Sequence, residues 1–138
     1  MQCGMCNLVS HTATLIFHNG TIIVSLNYEP LKEPHFIVLP KRHVEDVGQL
    51  KGEELKAMFD YITKLEKVIK QYAGQEAFIG MNRGRLATQP HIHFHVLPYT
   101  VGIRGFFAKA EGSQMRLRHS DEHLMQVKEK VLELLKVA

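Results

Sequence analysis

Imidazoles alternate with apolar side chains through His91-Ile92-His93-Phe94-His95-Val96, and Leu97-Pro98 follows. An extended strand sends successive side chains to opposite faces. The alternation therefore predicts a strand with His91, His93 and His95 on one face and Ile92, Phe94 and Val96 on the other. The apolar face packs on a core, and the imidazole face is free to build a site. Alternate residues recur about 6–7 Å apart along a strand. Three imidazoles at that spacing bring together groups able to act as nucleophile, acid, base or metal ligand near neutral pH. Pro90 and Pro98 bracket the run, as prolines do at strand ends.

The rest of the chain supplies a sheet for that strand. Leu15-Ile16-Phe17 and Ile22-Ile23-Val24 are β-rich and are joined through His18-Asn19-Gly20, which predicts a hairpin over 13–27. Pro30 and Pro34 make the next stretch a loop. Phe36-Ile37-Val38-Leu39 is a third strand stopped by Pro40, and Ala77–Met81 reads as a fourth. Between them, Leu55, Met58, Phe59, Ile62, Leu65, Ile69 and Tyr72 follow three- and four-residue steps, which predicts an amphipathic helix over Glu53–Tyr72 with Gly74 as its stop. Ser120, followed by Asp121 and Glu122, caps a terminal helix carrying Leu124, Val127, Val131, Leu134 and Leu135. Residues 99–119 read as less regular. These elements predict an α+β fold: an antiparallel five-stranded sheet, one long central helix and a C-terminal helix.

At 138 residues the chain is expected to be a single domain over 1–138, with its core in about 3–98 and a loop plus helix in 99–138. A net charge of +3 suits a small anionic ligand, and no basic run resembles a nucleic-acid arm. Neither a signal-peptide pattern nor a membrane-length apolar stretch is present, which points to a cytoplasmic location with no membrane partner. Cys3 and Cys6 stand at C-x-x-C spacing, which in a cytosolic chain suggests a metal site or a redox pair. The redox reading is the weaker, because such motifs open a helix after a strand and this pair precedes a hairpin.

The triad pattern resembles the signature of the histidine triad family of nucleotide hydrolases and transferases, and the resemblance extends beyond it. Pro40-Lys41-Arg42-His43 is similar to the family's Pro-Lys-x-His segment. Leu26-Asn27-Tyr28-Glu29-Pro30, with His35, is similar to its nucleoside-binding strand and loop. Asn82-Arg83-Gly84 resembles the Asn-x-Gly before its phosphate loop, and Thr88 stands where the family has Ser or Thr. The chain departs at Leu86-Ala87-Thr88, where the family reads Gly-Gln-Ser/Thr, and at Pro34, where it often has glycine.

The resemblance implies roles. His93 is the nucleophile toward the α-phosphorus of a nucleoside 5′-phosphate conjugate, and His95 holds the α-phosphate. Thr88 donates to the bridging oxygen or leaving group. Asn82 faces the leaving group, Asn27 the ribose, and His35 contributes to the walls around the base. The leaving group is a nucleotide's phosphate or an amine, and adenine is the family's usual base. Zinc-bearing members imply a structural zinc on Cys3, Cys6, His43 and the first triad residue, His91, which then cannot act as a proton donor. No organic cofactor is implied, and a homodimer is. Two other readings stay open: a metal-dependent hydrolase with the triad as ligands, and a non-catalytic nucleotide sensor. His11, His18, His119 and His123 read as surface or cap residues. Lys41, Arg42, Arg83 and Arg85 read as solvated charges able to steer anions. Gly105-Phe106-Phe107 reads as a cover for the site, a partner contact or a packed connection.

Overall fold

The computed structural model describes residues 3–87, 89–112 and 118–138. By its internal contacts the chain forms two compact units, 1–100 and 101–138. The first unit holds the sheet. Strand β1 (Leu15–His18) turns through Asn19-Gly20 into β2 (Ile22–Leu26). The Asn19 side-chain oxygen accepts from the backbone N–H groups of Thr21 (2.7 Å) and Ile22 (2.9 Å), the self-capped turn that asparagine favours. Strand β3 (Phe36–Pro40) follows, then helix α1 (Gly52–Ala73), β4 (Glu76–Gly80) and β5 (Phe94–Tyr99). All pairings are antiparallel, in the order β1-β2-β3-β5-β4. The histidine-bearing strand is thus internal, flanked by β3 and β4.

Helix α1 covers one face. Met58, Ile62, Leu65 and Ile69 are buried against Ile22, Val24, Phe36, Val38 and Val96, with Phe94 packed at the margin. Burial of each such side chain stabilises by about 1.5–3 kcal/mol. Gly74 ends the helix at φ +68°, in the left-handed region. At the other end, buried Glu54 accepts from the Lys51 backbone N–H (2.8 Å) and pairs with Arg42 (2.8 Å). Arg42 holds the Glu54 carboxyl below its usual range. This ion pair ties the start of α1 to the segment leaving β3, next to His43.

The opposite face carries Ile23, Ile37 and Leu39, covered by Met5, Leu8 and Val9 from a 3-10 turn over Gly4–Ser10. Periodicity reasoning missed this turn because seven residues are too few to display a repeat.

Two strand expectations change in detail. The ladder begins at Phe94, so His91 and His93 stand in the segment leading into it, held where Ile92 N–H donates to the Val44 carbonyl (2.7 Å). Pro98 lies inside β5, not at its end. Pairing to β3 stops at Val96, so on that side Pro98 has no ladder partner to lose.

The second unit contains α2 (Ile103–Glu111) and α3 (Asp121–Leu135). Ser120 caps α3 by accepting from His123 N–H (3.2 Å). Helix α2 falls in the stretch that read as irregular; Gly105 within it and Gly102 and Gly112 at its ends obscure its period. Among the described residues, no helix is long and apolar enough to cross a membrane.

Candidate active site and metal cluster

Four histidines meet on the sheet face away from α1, and their hydrogen bonds fix which nitrogen carries each proton. A carbonyl oxygen can only accept. His93 Nδ1 stands 2.8 Å from the His91 carbonyl, so Nδ1 carries the proton and Nε2 keeps the lone pair. His91 Nε2 stands 2.8 Å from the Pro40 carbonyl, so His91 holds the opposite tautomer and its Nδ1 is the free base.

A second pair extends this order. Leu31 N–H donates to His35 Nδ1 (3.1 Å), which leaves the ring proton of His35 on Nε2. That proton is donated to His95 Nδ1 (2.9 Å), and the proton of His95 therefore sits on Nε2. Burial lowers the pKa of His35. Burial, and then repulsion from His93 and His35, holds His95 down at about 4. Both rings are neutral at physiological pH, as the bonding pattern requires. His93 and His95 lie side by side, with ring centroids 5.0 Å apart.

His35 is 2% exposed and bonded to His95, and with Asn27 it lines a cavity of about 470 Å³. His35 shares the alternation of Ile37 and Leu39, and Ile37 pairs directly with His95, so the register of β3 on β5 brings His35 to His95. Asn27 accepts from Glu29 N–H (2.9 Å), and its Nδ2 stands 3.5 Å from His35 Nε2. It lines a cavity of about 490 Å³ with Gly4, Met5, Leu8, Tyr28 and Gln89. Asn82 is exposed and lines a smaller recess of about 180 Å³ with Arg83, Gln89 and His91. Arg83 donates to the Glu45 carbonyl (2.6 Å), which braces this loop. Thr88 lies outside the described residues. Met5, Leu8 and Gln89 had no signal in the sequence as pocket residues, whereas Tyr28 falls in the segment similar to the nucleoside-binding loop.

Cys3, Cys6, His43 and His91 form a separate cluster, with all four candidate ligand atoms within 4.8 Å of one another. His91 Nδ1 lies 3.6 Å from Cys3 Sγ and 3.5 Å from Cys6 Sγ, and His43 Nδ1 lies 3.3 Å from Cys6 Sγ. A tetrahedral zinc with ordinary Zn–S and Zn–N bonds separates sulfur from nitrogen by roughly 3.6 Å. Both imidazoles are oriented for that role. His43 Nε2 donates to the Glu45 carboxylate (3.0 Å), and His91 Nε2 to the Pro40 carbonyl, so each directs an Nδ1 lone pair at the thiols. Glu45 raises the pKa of His43, while burial lowers that of His91. Burial raises the pKa of both thiols. Cys3 nevertheless ends below its ordinary value, because it accepts hydrogen bonds from the Cys6 backbone and side chain; Cys6 remains raised. The donor set fits zinc. The His43-Val44-Glu45 spacing was a readable sign of the carboxylate–imidazole pair.

An internal strand fed by a histidine lead-in, with tautomers set by carbonyls and a second imidazole, defines a class of small α+β proteins with paired imidazoles on one sheet face. The HIT domain model matches residues 10–101, and the chain belongs to that family. It is 30% identical to an uncharacterised HIT-like protein of Mycobacterium tuberculosis, over 84% of this chain and 83% of that one. It is 26% identical to an adenosine 5′-monophosphoramidase of Schizosaccharomyces pombe, over 71% and 74%. A bis(5′-nucleosyl)-tetraphosphatase of the same yeast is 33% identical, over 53% and 42%. Among solved structures, a zinc-bound histidine triad protein of Mycobacterium smegmatis shares the fold, with a TM-score of 0.62 at 23% identity, over 88% and 84%.

Proposed function

We propose that this protein is a nucleotide hydrolase that cleaves at the α-phosphate of a nucleoside 5′-phosphate conjugate through a nucleotidyl-His93 intermediate. The observation that carries the proposal is the His93 Nδ1–H bond to the His91 carbonyl, which in the neutral ring leaves the Nε2 lone pair for attack. The lone pair of Nε2 attacks the α-phosphorus. The bond from phosphorus to the leaving group breaks, and that group departs with the electron pair and takes up a proton. Water then attacks the same phosphorus and releases the nucleoside monophosphate, with His93 restored. His95, protonated on Nε2, donates to a phosphate oxygen in both steps, and His35 keeps it in that tautomer. Asn27 and the adjoining cavity receive the nucleoside, and Asn82 and Thr88 the leaving-group side. The names of the two yeast relatives support an amine or a nucleotide phosphate as that group.

Cys3, Cys6, His43 and His91 hold a zinc ion in this reading. A site closed by four protein ligands supplies structure rather than a reactive position. The bonding of His93 and His95 to a carbonyl and to His35, with the metal-competent lone pairs gathered elsewhere, favours this assignment over a catalytic metal on the triad. The protein pairs with a second copy through the open edge of β4, aided by exposed Leu55, Phe59 and Ile79.

The test is hydrolysis of adenosine 5′-phosphoramidate and of a dinucleoside polyphosphate by the wild type and His93→Ala. Release of AMP, reduced about 10³-fold or more in the variant, is expected. Equal rates would contradict the proposal.

A further inference from the structure

The 3-10 turn Gly4–Ser10 serves two sites at once. Cys6 within it, and Cys3 just before it, belong to the metal cluster. Gly4, Met5 and Leu8 line the cavity of about 490 Å³ that adjoins Asn27. A Cβ at Gly4 would lie 4.0 Å from Gln89 Nε2, so the turn also borders the lead-in to the triad.

Little else holds the turn in place. Its backbone hydrogen bonds are local: Cys6 N–H donates to the Cys3 carbonyl (3.1 Å) and His11 N–H to the Leu8 carbonyl (3.0 Å). Among the described residues it makes no backbone hydrogen bond to a strand. Its attachments to the sheet are the contacts of Met5, Leu8 and Val9 with Ile23, Ile37 and Leu39, and the approach of the two thiols to His43 and His91. Short 3-10 turns are weak by themselves, and a thiol is a poor hydrogen-bond donor. Metal–ligand bonds at the thiols would replace the weaker of these attachments with a strong one.

We infer that the metal cluster sets the placement of Met5 and Leu8 in the cavity wall, so that zinc and nucleotide binding reinforce each other. This rests on the functional reading above, in which the cavity receives the nucleoside. Its volume suits a ligand of that size. Inorganic phosphate, which needs only the imidazole end, gains nothing from the turn. By linkage, whatever factor zinc adds to nucleotide affinity, nucleotide adds to zinc affinity.

The experiment is calorimetric titration of the zinc-loaded full chain, the chelated chain and Met5→Ala with AMP and with inorganic phosphate. Zinc retention in the presence and absence of AMP is followed in parallel by competition with a chromophoric chelator. Chelation is expected to weaken AMP binding about tenfold or more, reversed by added zinc, with phosphate binding unchanged. Met5→Ala keeps its zinc, so it tests the wall without relying on the fold of the chelated chain. Losing most of that half-buried side chain is expected to weaken AMP binding about tenfold. AMP is expected to slow zinc loss. Equal AMP affinity of the zinc-loaded and chelated chains with zinc retention indifferent to AMP, or unchanged AMP affinity in Met5→Ala, would overturn the inference and leave the functional reading standing. If the zinc-loaded wild type fails to bind AMP, the functional reading and the inference both fall.

Discussion

The His91 carbonyl accepts the Nδ1 proton of His93 at 2.8 Å, while the His91 ring donates its own Nε2 proton to the Pro40 carbonyl at 2.8 Å. Two histidines two residues apart therefore hold opposite tautomers. The first offers Nδ1 to the thiols of Cys3 and Cys6, and the second keeps Nε2 for a ligand. One residue belongs to the metal cluster by its ring and to the candidate active site by its carbonyl.

His95 depends on His35 for its tautomer. Replacing His35 with Ala removes the donor to His95 Nδ1, so the proton of His95 is no longer confined to Nε2. A loss of about 10–100-fold in kcat is expected, the range typical of partners that orient a functional group. His95→Ala removes the phosphate donor itself and is expected to cost about 10²–10³-fold. Steady-state kinetics of both variants, with AMP affinity measured separately, checks the order of the two losses.

Stability should fall in acid for a reason local to the site. His95 is held at about 4 by burial and by its histidine neighbours, against 6.5 for an unperturbed ring. Between those values the unfolded chain binds a proton that the folded chain excludes, so stability rises with pH. The penalty is absent above about 6.5, grows as pH falls, and is complete below about 4. Burial shifts His35 and His91 in the same direction, while Glu45 shifts exposed His43 in the other. Thermal melting of zinc-free protein across this range checks the sign. A variant with His95→Asn should show a shallower fall.

The carboxylate behind His43 should tune the metal. Glu45 accepts from His43 Nε2 at 3.0 Å. Glu45→Gln is expected to weaken zinc binding by about 10–100-fold, and Cys3→Ser with Cys6→Ser to abolish it. Zinc at a thousand times its Kd adds about 4 kcal/mol to folding, so chelation should lower Tm. Metal analysis and melting with and without zinc measure both effects.

The open edge of β4 and the exposed side chains on α1 should hold a second copy. Introducing charge with Phe59→Asp and Ile79→Asp is expected to shift the protein from dimer to monomer in sedimentation or light scattering. A wild type that is already monomeric at micromolar concentration would contradict this assignment.

Much of the fold was legible because its elements are periodic. The β-rich runs in 15–26 and 36–40, the alternation through 91–96 and the three-and-four spacing of Met58, Ile62, Leu65 and Ile69 are local consequences of burying one or both faces. The Gly4–Ser10 turn is too short to carry a period, and α2 is interrupted by Gly105. The triad stood out as a pattern, but its division of labour did not. That division depends on which carbonyl each ring meets, and on Pro40 and Leu31, which lie far from the triad in sequence. His35 could be associated with a site from sequence, but its bond to His95 follows from the register of β3 on β5, which no local pattern reports.

The central claim is a phosphorus–nitrogen bond on His93. Rapid quench of a single turnover with a dinucleoside polyphosphate, followed by digestion and mass spectrometry under conditions that preserve phosphohistidine, tests it directly. The predicted result is a nucleotidyl group on the peptide containing His93, formed and lost at rates consistent with turnover and absent in His93→Ala. Full turnover with no adduct at any time, and undiminished activity in His93→Ala, would contradict it.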